Sequence, residues 1–200
     1  MSILTATTTS LPIDNVETSN PLLLPFDKYD HGIPPFNEIN PSHFKPALDS
    51  AFLEHLKELH AIVDDPSDAT FDNTIASFDR SGSLLNKVAK VYYNLCSSMN
   101  PPDLQACQTE MAAPLAAHRS ATYLLPGLFN RIDKVYEDRR TQSYNTEELR
   151  LIERIHLDFV RAGARFDTAA KARYGKLMEE LAELTTKFTQ VINRIVTISD

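Results

Sequence analysis

Twelve prolines punctuate this chain, and where they fall constrains its fold more than any other feature. Pro21, Pro25, Pro34 and Pro35 lie between Asn20 and Asn40 with Leu22, Leu23, Leu24, Phe26, Ile33 and Phe36 around them. Proline at that density fixes φ, removes amide donors and excludes helix. So many apolar side chains are out of place in a free linker, so the segment is predicted to be an ordered strap lying over helices. At Asn40-Pro41 the pattern changes: Asn can cap a helix and Pro suits its first position. Phe44, Ala47, Leu48, Ala51, Phe52, Leu56, Leu59 and Val63 then trace one helical face, ending at Asp64-Asp65-Pro66. His43 sits where its ring could serve as a local cap.

Five further helices are expected on the same grounds. One runs from about Asp72 to Ser98, with Gly82 as a mild internal weak point. The next is capped by Asn100, followed by Pro101, and reaches Tyr123, with Pro114 expected to kink or split it. Another starts at Pro126. The run D-R-R-T-Q-S-Y-N is a loop, after which Asn145 and Glu148 have capping-box spacing and Gly163 closes the helix they open. The last begins near Asp167, with Tyr174, Leu177, Leu181, Leu184, Phe188 and Ile192 spaced by threes and fours. No stretch alternates as a strand does. The predicted fold class is all-α: an antiparallel helical array preceded by an extended Pro-rich strap. Residues 1–19 are expected to be a disordered leader, 20–190 a helical domain and 191–200 a divergent apolar tail.

Charge and composition exclude several functions. A net charge of −7 disfavours nucleic acid and anionic membrane as partners, and no run reaches the length of a membrane helix. The amino terminus has neither the basic start nor the long apolar run of a secretory signal. Cys96 and Cys107 have the setting of small buried hydrophobes in a reducing compartment. A cytoplasmic protein is expected.

Six histidines invite a search for metal. A helical zinc site wants two His at i and i+4. His55 and His60 are five apart, roughly 140° around a straight helix, and cannot share one ion. His118 and His156 lie on apolar faces and are read as satisfied core histidines. Glu147-Glu148 and Glu179-Glu180-Glu183 read as solvated faces. Arg139-Arg140 and the trio Arg161, Arg165, Arg173 could receive a carboxylate, although loop and helix-end charges explain them equally. Ser81-Gly82-Ser83 is no nucleophile elbow, and no phosphate-binding glycine loop occurs. No catalytic, cofactor-binding or metal-ligating residue is assigned.

The tail V-I-N-R-I-V-T-I-S-D carries the final helix to the end of the chain without a stop signal. Either it folds back on this domain or it packs on a partner domain; the second is favoured.

Several segments together resemble a known family. They are N-P-L-L at 20–23, P-P-F-N-E-I-N-P-S-H-F-K-P-A at 34–47, T-F-D-N-T-I at 70–75, A-P-L-A-A-H at 113–118, Y-L-L-P-G-L-F at 123–129, R-L-I-E-R at 150–154 and D-F-V-R-A-G-A at 158–164. In that order they are similar to the N-terminal domain of the thimet-oligopeptidase and peptidyl-dipeptidase family. The run S-F-D-R-S-G-S-L-L-N-K-V at 77–88 is closer to the peptidyl-dipeptidase branch than to the oligopeptidase A branch.

The resemblance implies a cytosolic zinc peptidase of two helical lobes facing each other across a channel that admits short peptides. Zinc would sit in the C-terminal lobe, on the two His of H-E-x-x-H and a later Glu, with the motif's own Glu activating water. This chain contains no H-E-x-x-H. It is expected to be the noncatalytic, channel-wall part, inactive alone, with the C-terminal lobe as its partner. Its tail departs from the family after K-F-T-Q at 187–190, which suggests a truncated gene product. The alternative is a stand-alone helical interaction or regulatory protein without peptidase activity.

Overall fold

The computed structural model describes residues 20–99 and 101–199, with backbone alone at Asp30 and over 193–199. The expected leader, the Asn100 cap and Asp200 lie outside the described residues. Within them the chain is all-α, with six helices: α1 (Phe44–Val63), α2 (Ser83–Ser98), α3 (Pro102–Tyr123), α4 (Leu128–Asp138), α5 (Thr146–Arg161) and α6 (Thr168–Ser199). No strand occurs among the described residues.

The first helix organises the others. Its twenty residues span roughly 30 Å at 1.5 Å per residue, long enough to serve two cores. Phe44, Ala47 and Leu48 at its start join Leu22, Val88, Tyr92, Leu104 and Met111 in one buried cluster. Leu59 and Ile62 near its end join Ile75, Leu128, Ile132, Ile152 and Phe159 in a second. Helices α2 and α3 pack on α1 around the first core, and α4 and α5 pack on each other around the second.

The strap is half as expected. Leu22 is fully buried, and Leu23 and Phe26 pack beside it. Lys87 Nζ donates to the Leu24 carbonyl at 3.0 Å and sits over the Phe26 ring, while Asn20 Nδ2 donates to the His43 carbonyl. Two 3-10 turns, Phe26–Lys28 and Asp30–Gly32, interrupt the extended course. Ile33 and Phe36, expected to pack, are 53% and 43% exposed. In the outer half Pro35 is buried and Ile39 packs on the first core, so of its apolar side chains only Ile33 and Phe36 stand out from it.

At the start of α1, a 3-10 turn over Pro41–His43 precedes the α-helix, and the ring of His43 makes the cap. Its Nδ1 accepts from the Asn40 amide at 3.1 Å. The helix expected to run from Asp72 to Ser98 is broken. A π-helical turn, Phe71–Ala76, leads into one α turn, Ser77–Arg80, and the chain restarts at Ser83. Gly82 is the cause: its φ of +69° belongs to the left-handed region, and its amide donates to the Glu58 carboxylate at 2.6 Å instead of continuing the ladder. Thr70 and Asn73 cap the π turn reciprocally.

Pro114 does not split α3. It removes one backbone donor, but Met111, Ala112, His118 and Thr122 are buried on either side of it and hold the helix in one piece. The helix expected to start at Pro126 starts at Leu128, after Gly127 at φ +88°. Both ends of α5 match expectation. Asn145 Oδ1 accepts from the Glu147 and Glu148 amides at 2.9 Å, and Glu148 returns the bond to the Asn145 amide. At the far end Ala164 N–H reaches the Phe159 carbonyl and Gly163 N–H the Val160 carbonyl, the paired bonds of a Schellman stop.

Asp167 caps α6 through the Ala170 amide. This helix lies along α3, with Tyr174, Gly175, Met178, Ala182 and Thr186 half-buried, and Gln190 Nε2 donates to the Gln105 carbonyl at 2.9 Å. Four large side chains face outward: Leu177, Leu181, Leu184 and Phe188 are 52–68% exposed. Up to Gln190 the helix thus lies on the domain, yet leaves its most apolar stripe in the open; the side chains of 193–200, most of the expected tail, lie outside the described residues.

Candidate functional site

Two places bring chemistry-bearing side chains together. The first joins residues that are distant in sequence. His55 on α1 and His118 on α3 meet with Nδ1 and Nε2 2.9 Å apart, and His55 Nε2 lies 3.3 Å from Ser81 Oγ at the break before α2. The Ser81 hydroxyl donates to the Phe78 carbonyl at 2.7 Å, so its oxygen accepts from His55 Nε2–H. His55 Nδ1 then accepts from His118 Nε2–H, which leaves both rings neutral. Phe52 stacks on the His118 ring at 4.4 Å. Burial, and secondarily the His55 charge, pushes His118 down to about 4. Burial lowers His55 as well, against the opposing pull of Glu58.

These residues do not fit zinc. The two nitrogens facing each other are spent on one hydrogen bond, and Glu58 is committed to the Gly82 amide. Among the described residues no three His, Cys, Asp or Glu side chains gather so that they could hold a metal ion. The cluster ties α1, α3 and the Ser81-Gly82 break together. His55 was placed on its helix correctly from sequence, but its partner lies 63 residues away, and no local spacing signals such a pair. His60 is exposed.

His156 is a satisfied core histidine, as expected. Its Nε2 is 2.8 Å from Asp133 Oδ1, and its ring stacks on Tyr136 at 3.7 Å. Arg139 lies over the same Tyr136 ring and reaches Glu153 at 3.9 Å; Arg165 sits 3.5 Å from Asp133. Cys96 and Cys107 are buried and unpaired with each other. Burial raises both thiols, Cys107 to about 11, so neither is a reactive thiolate.

The second place is a groove of about 800 Å³ framed by α2, α3, α5 and α6. Tyr92 and Tyr93 come from α2, Arg119 and Tyr123 from α3, and Tyr174 from α6. From α5 come Arg154, Asp158 and Arg161, spaced to share one face. Arg154 is paired with Asp158 at 3.0 Å. Arg119 lies over the Tyr123 ring at 5.9 Å. Of the arginines singled out in the sequence, only Arg161 faces the groove; Arg119 and Arg154 were not anticipated, because their meeting depends on how α3 and α5 are placed.

No protein-family model matches the chain. It is 34% identical over 177 residues to the dipeptidyl carboxypeptidase of Salmonella typhimurium, an alignment covering 86% of this chain. The Escherichia coli dipeptidyl carboxypeptidase is likewise 34% identical, over 173 residues, and Escherichia coli oligopeptidase A is 26% identical over 175. The chain belongs to this peptidase family. The higher identity to the dipeptidyl carboxypeptidases agrees with the branch preference seen in the run at 77–88. The chain spans about a quarter of the length of these curated relatives. No described helix is long and apolar enough to cross a membrane.

Proposed function

We propose that this chain is the noncatalytic, N-terminal, channel-wall part of a cytoplasmic zinc-dependent metallopeptidase that hydrolyses short peptides in its full-length form. Residues 20–190 make up the helical domain, and the zinc ligands and the water-activating Glu belong to the C-terminal lobe. The observation that carries this reading is the shape of the match: 86% of the chain aligns at 34% identity, yet with only 25% of the relative. The outward stripe of α6 supports it. Leu177, Leu181, Leu184 and Phe188 are large and exposed, while Tyr174, Gly175, Met178, Ala182 and Thr186 are half-buried. A helix closing a free-standing domain has the opposite arrangement, and an open stripe of this kind suits a contact with further polypeptide.

The experiment is a domain exchange. Residues 20–190 replace the aligned segment of the Escherichia coli dipeptidyl carboxypeptidase, and zinc-dependent cleavage of a fluorogenic short peptide is measured. The chimera is expected to retain activity, and the 200-residue chain alone with zinc to show none. A folded but inactive chimera, or zinc-dependent turnover by the chain alone, overturns the proposal.

A second reading, a stand-alone helical interaction or regulatory protein, draws support from the two cores, which close using residues of this chain alone. It requires a soluble monomer that unfolds cooperatively; aggregation driven by the α6 stripe counts against it.

A further inference from the structure

The groove between α2, α3, α5 and α6 differs in charge from the rest of the molecule. The whole chain carries 27 acidic against 20 basic residues. The groove is lined by three arginines and one aspartate, with no lysine or glutamate. Asp158 already neutralises Arg154. Among the described residues, Arg119 and Arg161 have no ion-pair or hydrogen-bond acceptor. Two guanidinium groups therefore point into a concave surface with their donors unspent by protein.

The rest of the lining narrows the ligand. Four of the seven tyrosines in the chain line it; Tyr92 is buried in the first core, while Tyr93, Tyr123 and Tyr174 are accessible and supply rigid rings with polar tips that suit side-chain contact. Ser120, Thr185 and Thr189 add hydroxyls able to meet backbone amides. About 800 Å³ lies in the range of sites for drug-sized ligands and accommodates a peptide of a few residues. A long polyanion would be repelled by the surrounding −7 charge; a short one meets mainly the groove's local excess.

We propose that this groove binds a short acidic peptide segment, its carboxylates received by Arg119 and Arg161 and its side chains lodged among the tyrosine rings. Guanidinium groups suit this role because their planar fork matches a carboxylate bidentately. The aspartate beside Arg154 contributes selection: it keeps that arginine occupied and disfavours a carboxylate docking over it. The proposal stands on the groove alone and does not require the channel-wall reading.

The test uses the full chain and calorimetric titration with acetyl-Glu-Ala-Glu-Ala-Glu-amide, its Gln counterpart and inorganic phosphate. The acidic peptide is expected to bind below about 1 mM, with affinity falling as salt is raised. The Gln peptide, and the acidic peptide with R119Q or R161Q, should each bind about tenfold more weakly. Both arginines are exposed, so the variants should keep the parent's circular dichroism and melting temperature. Equal binding of the Glu and Gln peptides, unchanged affinity in both variants, or no binding at 1 mM overturns the proposal. Phosphate binding as tightly as the acidic peptide overturns the peptide assignment and leaves a simple anion site. An inactive chimera in the domain exchange has no bearing on any of these outcomes.

Discussion

Acidification should destabilise this domain well above the pH at which its carboxylates titrate, and the histidine pair is the reason. His118 is 8% exposed, and its folded-state value is about 4 against an ordinary 6.5. Between those values the unfolded chain holds a proton on this ring and the folded chain does not. Stability is therefore complete above about pH 6.5 and is lost as pH falls toward 4. Going from pH 7 to pH 5, linkage predicts a loss of about 2 kcal/mol from His118 alone. His55, also lowered by burial, adds in the same direction. The groups facing the pair are Glu58 from the same helix as His55, Ser81 from the break, and the Phe52 ring; none supplies an opposite charge directly to His118.

Urea unfolding followed by far-UV circular dichroism at pH 7 and pH 5 measures the loss. The double variant H55Q/H118L removes both titrating rings and should flatten the difference, although it is less stable at pH 7. Proton NMR titration of the folded protein reads His118 directly. A His118 that titrates above pH 6, or a double variant as pH-sensitive as the parent, refutes the reasoning.

Gly82→Ala should destabilise by about 1–3 kcal/mol, because its φ is +69° and the new Cβ would meet the His55 ring at 3.2 Å; thermal melts check it, and a neutral change would mean that the break is not held by this geometry. Leu48→Ala should cost about 2–5 kcal/mol, since the side chain is fully buried in the first core. Cys107 should resist iodoacetamide in the native protein at pH 8 and react only on unfolding, because burial pushes its thiol up to about 11; rapid labelling of the folded chain, read by mass spectrometry, would contradict this. Asn145→Ala should lose about 1 kcal/mol by removing the acceptor for two amides at the start of α5.

Much of the helical layout was legible in order along the chain. Asn145 with Glu148, Gly163 and Asp167 act on amides and carbonyls within a few residues of themselves, so their effect is readable from spacing. The same holds for the apolar face of α1, whose buried residues were those its periodicity marked, with the addition of Ile62. The helix through Pro114 is not split, and the helix through Gly82 is broken outright where only a weak point was expected, for one reason. A propensity is local, but Pro114 is held in helix by burial on both sides, and Gly82 is drawn out of helix by a carboxylate 24 residues away.

The candidate sites were less visible. His55 and His118 attracted notice singly, but their meeting depends on how α1 packs against α3. The groove depends on four helices, and of its three arginines only Arg161 had been singled out. Sequence alone determined the all-α class, most helix ends and, through its ordered motifs, the peptidase family, because each of these is written in neighbouring residues or in a collinear series. Only tertiary structure decided which histidines pair, which arginines stand unpaired in a concavity and which side of α6 is left open. Those outcomes follow from packing between segments tens of residues apart, where side-chain volume and burial choose the partners.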